Sequence, residues 1–282
     1  MTSVGEIIKS VLPFGLSSSL PGLRVVLRAM FKKQLLLMIR YRVNFFFRLA
    51  SMYLLFAVIF FGGKAATSRV GGEVSEFSST FEGIIVGWFL LTMVQASYSS
   101  LHSNVTSESQ WGTLEQLYMS PYGFGWIMAL KNIVNVLFAV LWGVMMLILM
   151  MVTTWTWFII DIFTIAPIII FTILPVLGIG LVSAGLALIY KKIGGVNSIM
   201  QFVFIGLIAV PVTDQSLLQL LPVAQGSAML QEAMRNGVKI WEFSLFELII
   251  LVVPGLIYYI IGYVVFRYCE HVARRKGVMG HY

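Results

Sequence analysis

Charge is scarce in this chain. Of its 282 residues only 11% are charged, whereas 59% are hydrophobic and the mean hydropathy is +0.92. A soluble domain carries about 25% charged and about 45–50% apolar residues, and no packing of so short a chain hides this much apolar surface from water. Lipid is therefore the expected solvent. Cysteine is scarcer still: the single Cys269 excludes an intramolecular disulfide. The three histidines (His102, His271 and His281) are scattered, so no metal-ligand cluster is expected. No nucleophile–base arrangement and no carboxylate pair stands out, so the chain is expected to have no catalytic residues. A nucleotide-binding loop is missing as well. Gly62-Gly63-Lys64 lacks both the earlier glycine and the Ser/Thr after lysine that cradle phosphates, so no cofactor is expected on this chain. The net charge of +7 does not point to nucleic acid, because the basic residues flank apolar runs instead of forming one face.

What is present is a series of apolar runs. A hydrocarbon core roughly 30 Å thick takes about 20 helical residues per crossing. The runs predict six crossings: Asn44–Gly62, Gly83–Leu101, Trp126–Val152, Ile162–Tyr190, the shorter Val196–Val212, and Ser244–Tyr268. Pro167 and Pro175 predict a kink or local unwinding in the fourth, and Gly180 with Ala184 predicts close helix packing there. Met1–Leu20 lacks the features of a cleavable signal, so the first crossing is expected to serve as its own insertion signal. Before it, Arg24, Arg28 and Lys32 recur every four residues beside Val25, Val26, Ala29 and Met30, the pattern of an amphipathic helix lying in the membrane interface. Residues 1–43 are thus expected to be a cytoplasmic segment, 44–268 the membrane domain, and 269–282 a basic cytoplasmic tail. All but four of the 19 lysines and arginines fall on one side of this arrangement; the exceptions are Lys64, Arg69, Arg235 and Lys239. Both termini are therefore expected in the cytoplasm, with the protein multi-pass in the plasma membrane. Trp155, Trp157 and Trp241 would lie at the outer boundary, and the Asn104 sequon would be cytoplasmic.

Polar residues within the crossings are few and patterned. Thr92, Gln95, Ser99, His102 and Thr106 make one stripe along the second crossing, and Asn132, Asn135, Asn197 and Gln201 could face it from the third and fifth. They read either as a translocation path or subunit interface, or as ordinary interhelical hydrogen bonds. Few acids lie within the crossings, and an absence of buried charge favours a neutral, amphipathic or lipid-linked cargo over a coupled ion.

The loop between the second and third crossings is the most informative stretch. Gly112 permits a sharp start, Thr113 with Gln116 forms a capping box, and Pro121 ends the element. Leu114, Leu117 and Tyr118 form its apolar side, with Glu115 alongside. Such a helix of about two turns is marginal in water and needs a surface to dock on, a membrane or another protein. Glu108, Gly112-Thr113-Leu114-Glu115-Gln116-Leu117 and Ser120-Pro121 together resemble the signature of the ABC-2 type permeases, the membrane subunits of ABC exporters. Leu221-Pro222, Leu230 and Arg235 add to the resemblance, whereas Ser109, Gln110 and Trp111 stand where family members often carry arginines.

The resemblance implies that 107–121 is a cytoplasmic coupling helix docking on a separate ATP-binding subunit, which holds the ATP and magnesium. It also implies a second permease subunit, identical or different, and membrane lipid as surroundings. Residues 213–243 would form short re-entrant helices on the outer side, or else an interfacial loop. A secondary transporter or channel is the other possibility; it would call for inverted repeats or intramembrane charge, and neither is visible.

Overall fold

The computed structural model describes residues 20–69, 78–110, 124–190, 194–210 and 217–275, and all regular structure among them is helical. In order these are α1 (Leu20–Arg40), α2 (Arg42–Arg69), α3 (Ser78–Gln110), α4 (Phe124–Thr154), α5 (Ile162–Tyr190), α6 (Gly194–Ala209), a 3-10 turn (Leu217–Leu220), α7 (Ala224–Asn236) and α8 (Leu245–Arg275). Residues 1–42 form one unit and 43–282 another. In the first, α1 is an unbroken helix over most of the basic stretch expected to be helical.

Among the described residues five helices are long and apolar enough to cross a membrane: Arg42–Ser68, Thr80–Glu108, Ile127–Thr154, Ile162–Tyr190 and Leu245–Ala273. This is the build of a multi-pass membrane protein. The expected crossing at Val196–Val212 differs, because α6 has only 16 residues and stops at Ala209. At about 1.5 Å per residue it falls short of a core roughly 30 Å thick. Pro211 follows in the sequence, and a proline keeps the residue before it out of helical geometry.

Local signals set the helix starts. Asp161 caps α5: its carboxylate accepts from the Phe163 N–H at 3.1 Å and from the Thr164 hydroxyl at 2.7 Å. Before α8, Ser244 and Glu247 form a reciprocal capping box, Glu247 accepting from the Ser244 N–H at 2.8 Å and Ser244 Oγ from the Phe246 N–H at 3.1 Å. Helix α5 runs unbroken through Pro167 and Pro175, so the unwinding expected there is absent. Pro175 cannot donate to the Phe171 carbonyl, and Gly255 of α8 packs against that freed oxygen.

Helix α3 is the hub. Of its apolar segment 78% is buried, against 11% in α2 and 17% in α8, which lie at the periphery. Phe56 and Phe60 of α2 set their rings against Trp88 and Phe81, Gly143 of α4 gives way to Met93, and Ile208 of α6 meets Gly87. Gly180 of α5 accommodates Leu101 of α3, so the small residue expected to promote close packing does so against the hub. Backbone meets backbone between α5 and α8, where Gly178 lies against the Tyr258 carbonyl and Gly262. Because lipid tails are as apolar as leucine, such backbone proximity, and not hydrophobic burial, drives association of helices in a bilayer.

At the N-terminal end of α3, α7 is inserted among the long helices. It begins after Val223, held at φ 76°, and ends in the left-handed Gly237, at φ 72°. Gly226 abuts Thr172 of α5, and the Ser227 hydroxyl donates to the Ile208 carbonyl at 3.1 Å. At its other end, Met234 accepts from the Ile159 N–H at 3.0 Å and Arg235 pairs with Glu82 of α3 at 3.1 Å.

Candidate functional site along the central helix

The stripe on α3 divides into two kinds of residue. Thr92, Ser99 and Thr106 donate to carbonyls of their own helix, Phe89 at 2.7 Å, Ala96 at 3.4 Å and His102 at 2.9 Å. A hydroxyl bonded in this way is satisfied without any neighbour. Gln95 and His102 are different, for Gln95 Oε1 and His102 Nδ1 are buried without a hydrogen-bond partner. Asn132 Oδ1, Asn135 Nδ2 and Asn197 Oδ1 share that condition, and Gln201 is half-buried on α6. Buried polar atoms are nearly always paired, so four of the seven residues expected to line a path or interface retain unused hydrogen-bonding capacity.

These residues do not line one continuous channel within a single chain. Thr92 borders a cavity of about 30 Å³ between α2, α3 and α4, with Arg48, Ala96 and Trp142 around it. Asn132 borders another, of about 70 Å³, at the opposite end of the stripe among α3, α4, α5 and α8. Helix α6, carrying Asn197 and Gln201, approaches α3 through the Tyr98 and Phe204 rings, whose centroids are 5.4 Å apart.

Of the residues expected in the coupling segment, Glu108 is described; Gly112, Thr113, Leu114, Glu115, Leu117, Tyr118, Ser120 and Pro121 lie outside the described residues. Glu108 pairs with Lys131 of α4 at 2.8 Å, and both side chains are mostly buried, 12% and 22% exposed. The pair ties the end of α3 to the start of α4 and closes the base of the intervening loop. A largely desolvated, charge-assisted bond holds geometry better than a surface pair does.

Three features escaped the sequence. Arg48, placed at the edge of the first crossing, extends its guanidinium to 5.4 Å from the Trp142 ring centre, and Trp142 stands near the middle of the apolar helix Ile127–Thr154. A long arginine stem lets the charge lie far from its own Cα, which spacing along a sequence does not reveal. Buried charge, expected to be absent, is present: Glu270 of α8 is 3% exposed, and Arg267 one turn earlier neutralises it at 3.1 Å. An i, i+3 acid–base pair in the sequence was the available signal. Ser97, fully buried with an unpartnered hydroxyl, lies off the stripe and had no such signal.

Comparison of the chain with protein-family models, with curated proteins and with solved structures finds no match.

Proposed function

We propose that this chain is the membrane subunit of an ATP-driven exporter of the ABC-2 type, working as a dimer with a separate ATP-binding subunit. Its own residues hold no nucleotide; ATP and magnesium belong to the partner. The segment 107–121 is the coupling helix, both termini are cytoplasmic, and the location is the plasma membrane. The short α6 and the inserted α7 together make the sixth crossing and the re-entrant closure of the outer side.

The observation that carries this proposal is the Glu108–Lys131 pair at the base of the loop bearing the Gly112–Pro121 string. ATP binds a closed ATPase dimer more tightly than an open one, and only that difference in affinity can shift the permease's equilibrium. A rigid joint is needed to pass the shift on. Tying the end of α3, the most buried long helix, to the start of α4 at the base of this loop supplies one. The unpartnered amides of Gln95, Asn132, Asn135 and Asn197 are the groups that a second subunit or cargo would engage after rearrangement. Co-expression with an ATP-binding subunit and recovery of a complex with two copies of each chain in lipid nanodiscs is the test. Persistent purification of the chain alone, fully active in moving solutes down an ion gradient, would instead establish the secondary transporter.

A further inference from the structure

We propose that Arg48, held over Trp142 where α2 meets α4, binds the phosphate of an anionic phospholipid. The site rests on the membrane character of the chain and depends on neither the transporter assignment nor the orientation.

Arg42 and Lys64 stand about 33 Å apart along α2 at 1.5 Å per residue, close to a hydrocarbon core roughly 30 Å thick. Arg48 lies about 9 Å inside the Arg42 end. Its side chain is exposed, as are Phe47 beside it and Leu55 and Ile59 further along the same face, so it lies at the lipid edge of the bundle. The guanidinium is 5.4 Å from the Trp142 ring centre, and Phe45, one turn earlier on α2, holds the same ring at 4.5 Å. The hollow beside them, between α2, α3 and α4, has about 30 Å³ of open space, where a water needs about 10–15 Å³. No headgroup enters the bundle there. A ligand of Arg48 must come from the lipid side.

Charge then selects the ligand. Helices α1, α2 and α4 contain no acidic residue. The two acids of α3 lie about 15 Å or more along the helix from Thr92 and Ala96, which line the hollow, and each holds a cation elsewhere, Glu82 with Arg235 and Glu108 with Lys131. Among the described residues, then, no carboxylate meets Arg48. The Trp142 face attracts the cation but gives its N–H groups no lone pair. A charge left so in hydrocarbon is costly, and its counter-ion comes from outside the chain. A lipid phosphate takes the planar guanidinium fork through two oxygens, and headgroups dip toward an arginine where the bilayer thins around it. Leu55 and Ile59 give the acyl chains an apolar track. A zwitterionic lipid would bring an ammonium to a place with a cation and no carboxylate, so the lipid is one with net negative charge.

The test is native mass spectrometry of the full chain released from micelles holding equal amounts of phosphatidylglycerol and phosphatidylcholine with identical acyl chains. The expected result is preferential retention of phosphatidylglycerol, with Arg48→Gln lowering the preference about fivefold, the weight of one cation beside an anionic lipid. Lys239→Gln is the control: it removes the same charge from another cation–aromatic pair, 5.3 Å from the Trp241 ring centre and outside the long apolar helices, and should leave the preference unchanged. Equal retention of both lipids by the wild-type chain would overturn the proposal, and this comparison needs no variant to fold. So would an equal loss in both variants, which would make the preference one of net charge. An Arg48→Gln protein that keeps the full preference but falls from dimer to monomer would assign the arginine to a carboxylate of a second copy, and would also overturn it. Displacement of the lipid by soluble glycerol phosphate at equal concentration would mean a site for free phosphate, and would overturn the lipid assignment.

Discussion

Gly262 of α8 lies against Gly178 of α5 with no room between them: a Cβ on Gly262 would strike the Gly178 carbonyl, and one on Gly178 would strike the Tyr258 carbonyl. The obstruction is backbone, which cannot swing aside as a side chain can. Gly178→Leu or Gly262→Val is therefore expected to cost about 1–3 kcal/mol, or to prevent helix assembly altogether. Reversible unfolding in mixed micelles measures it. Gly206→Ala in α6 is the control, since nothing lies within 4 Å of its added methyl. That change should be neutral or gain up to about 1 kcal/mol from helix propensity.

The two long-range ion pairs should differ in strength. Glu108–Lys131 is the more enclosed, at 12% and 22% exposed, while Glu82–Arg235 is 36% and 26% exposed. Double-mutant cycles with Glu108→Gln and Lys131→Met should give a coupling of about 1–3 kcal/mol, with the single changes costing more than half the double. The same cycle at Glu82 and Arg235 should give under about 1 kcal/mol. Equal couplings would show that burial does not set their strength here.

Unpartnered polar atoms allow fold and function to be separated. Ser97→Ala and Gln95→Leu each remove a buried group that has no hydrogen-bond partner. Both should leave thermal stability unchanged or raise it by up to about 1 kcal/mol, because an unsatisfied group contributes only its desolvation cost. Transport assayed in proteoliposomes should fall with Gln95→Leu and stay near wild type with Ser97→Ala. Loss of stability in Gln95→Leu would identify the amide as interhelical glue.

Orientation is testable with the chain's own chemistry. In a Cys269→Ser background, Lys239→Cys and Arg275→Cys each place a thiol at an exposed position. An impermeant maleimide added to intact cells should label position 239 and leave 275 unmodified until the membrane is opened. Labelling of 275 alone would reverse the topology derived from the lysine and arginine distribution.

The sequence disclosed the elements more readily than their pairing. Ile162–Tyr190 is bounded by Asp161 and its own apolar run, both local signals, and the helix has those limits. The premature stop of α6 was also written locally, in Pro211, but hydropathy alone carried the expected crossing past it to Val212. Which glycine meets which helix could not be read, because Gly178 and Gly180 are two residues apart yet face α8 and α3 respectively. The stripe on α3 is polar and periodic in the sequence. Its division into self-bonded hydroxyls and the unpartnered Gln95 and His102 depends on side-chain geometry that spacing does not encode. Arg48 and Glu270 were missed for a related reason, since the depth of a charge depends on its stem and its partner as well as its position in the chain.

The most direct test of the exporter assignment is ATP turnover of the complex with its ATP-binding subunit in nanodiscs, comparing wild type with a Glu115→Arg, Leu117→Asp double substitution. The substitution is expected to abolish turnover or association while the permease keeps its unfolding temperature. Undiminished binding and turnover by the substituted protein would contradict it, leaving 107–121 as a loop anchor with no part in coupling.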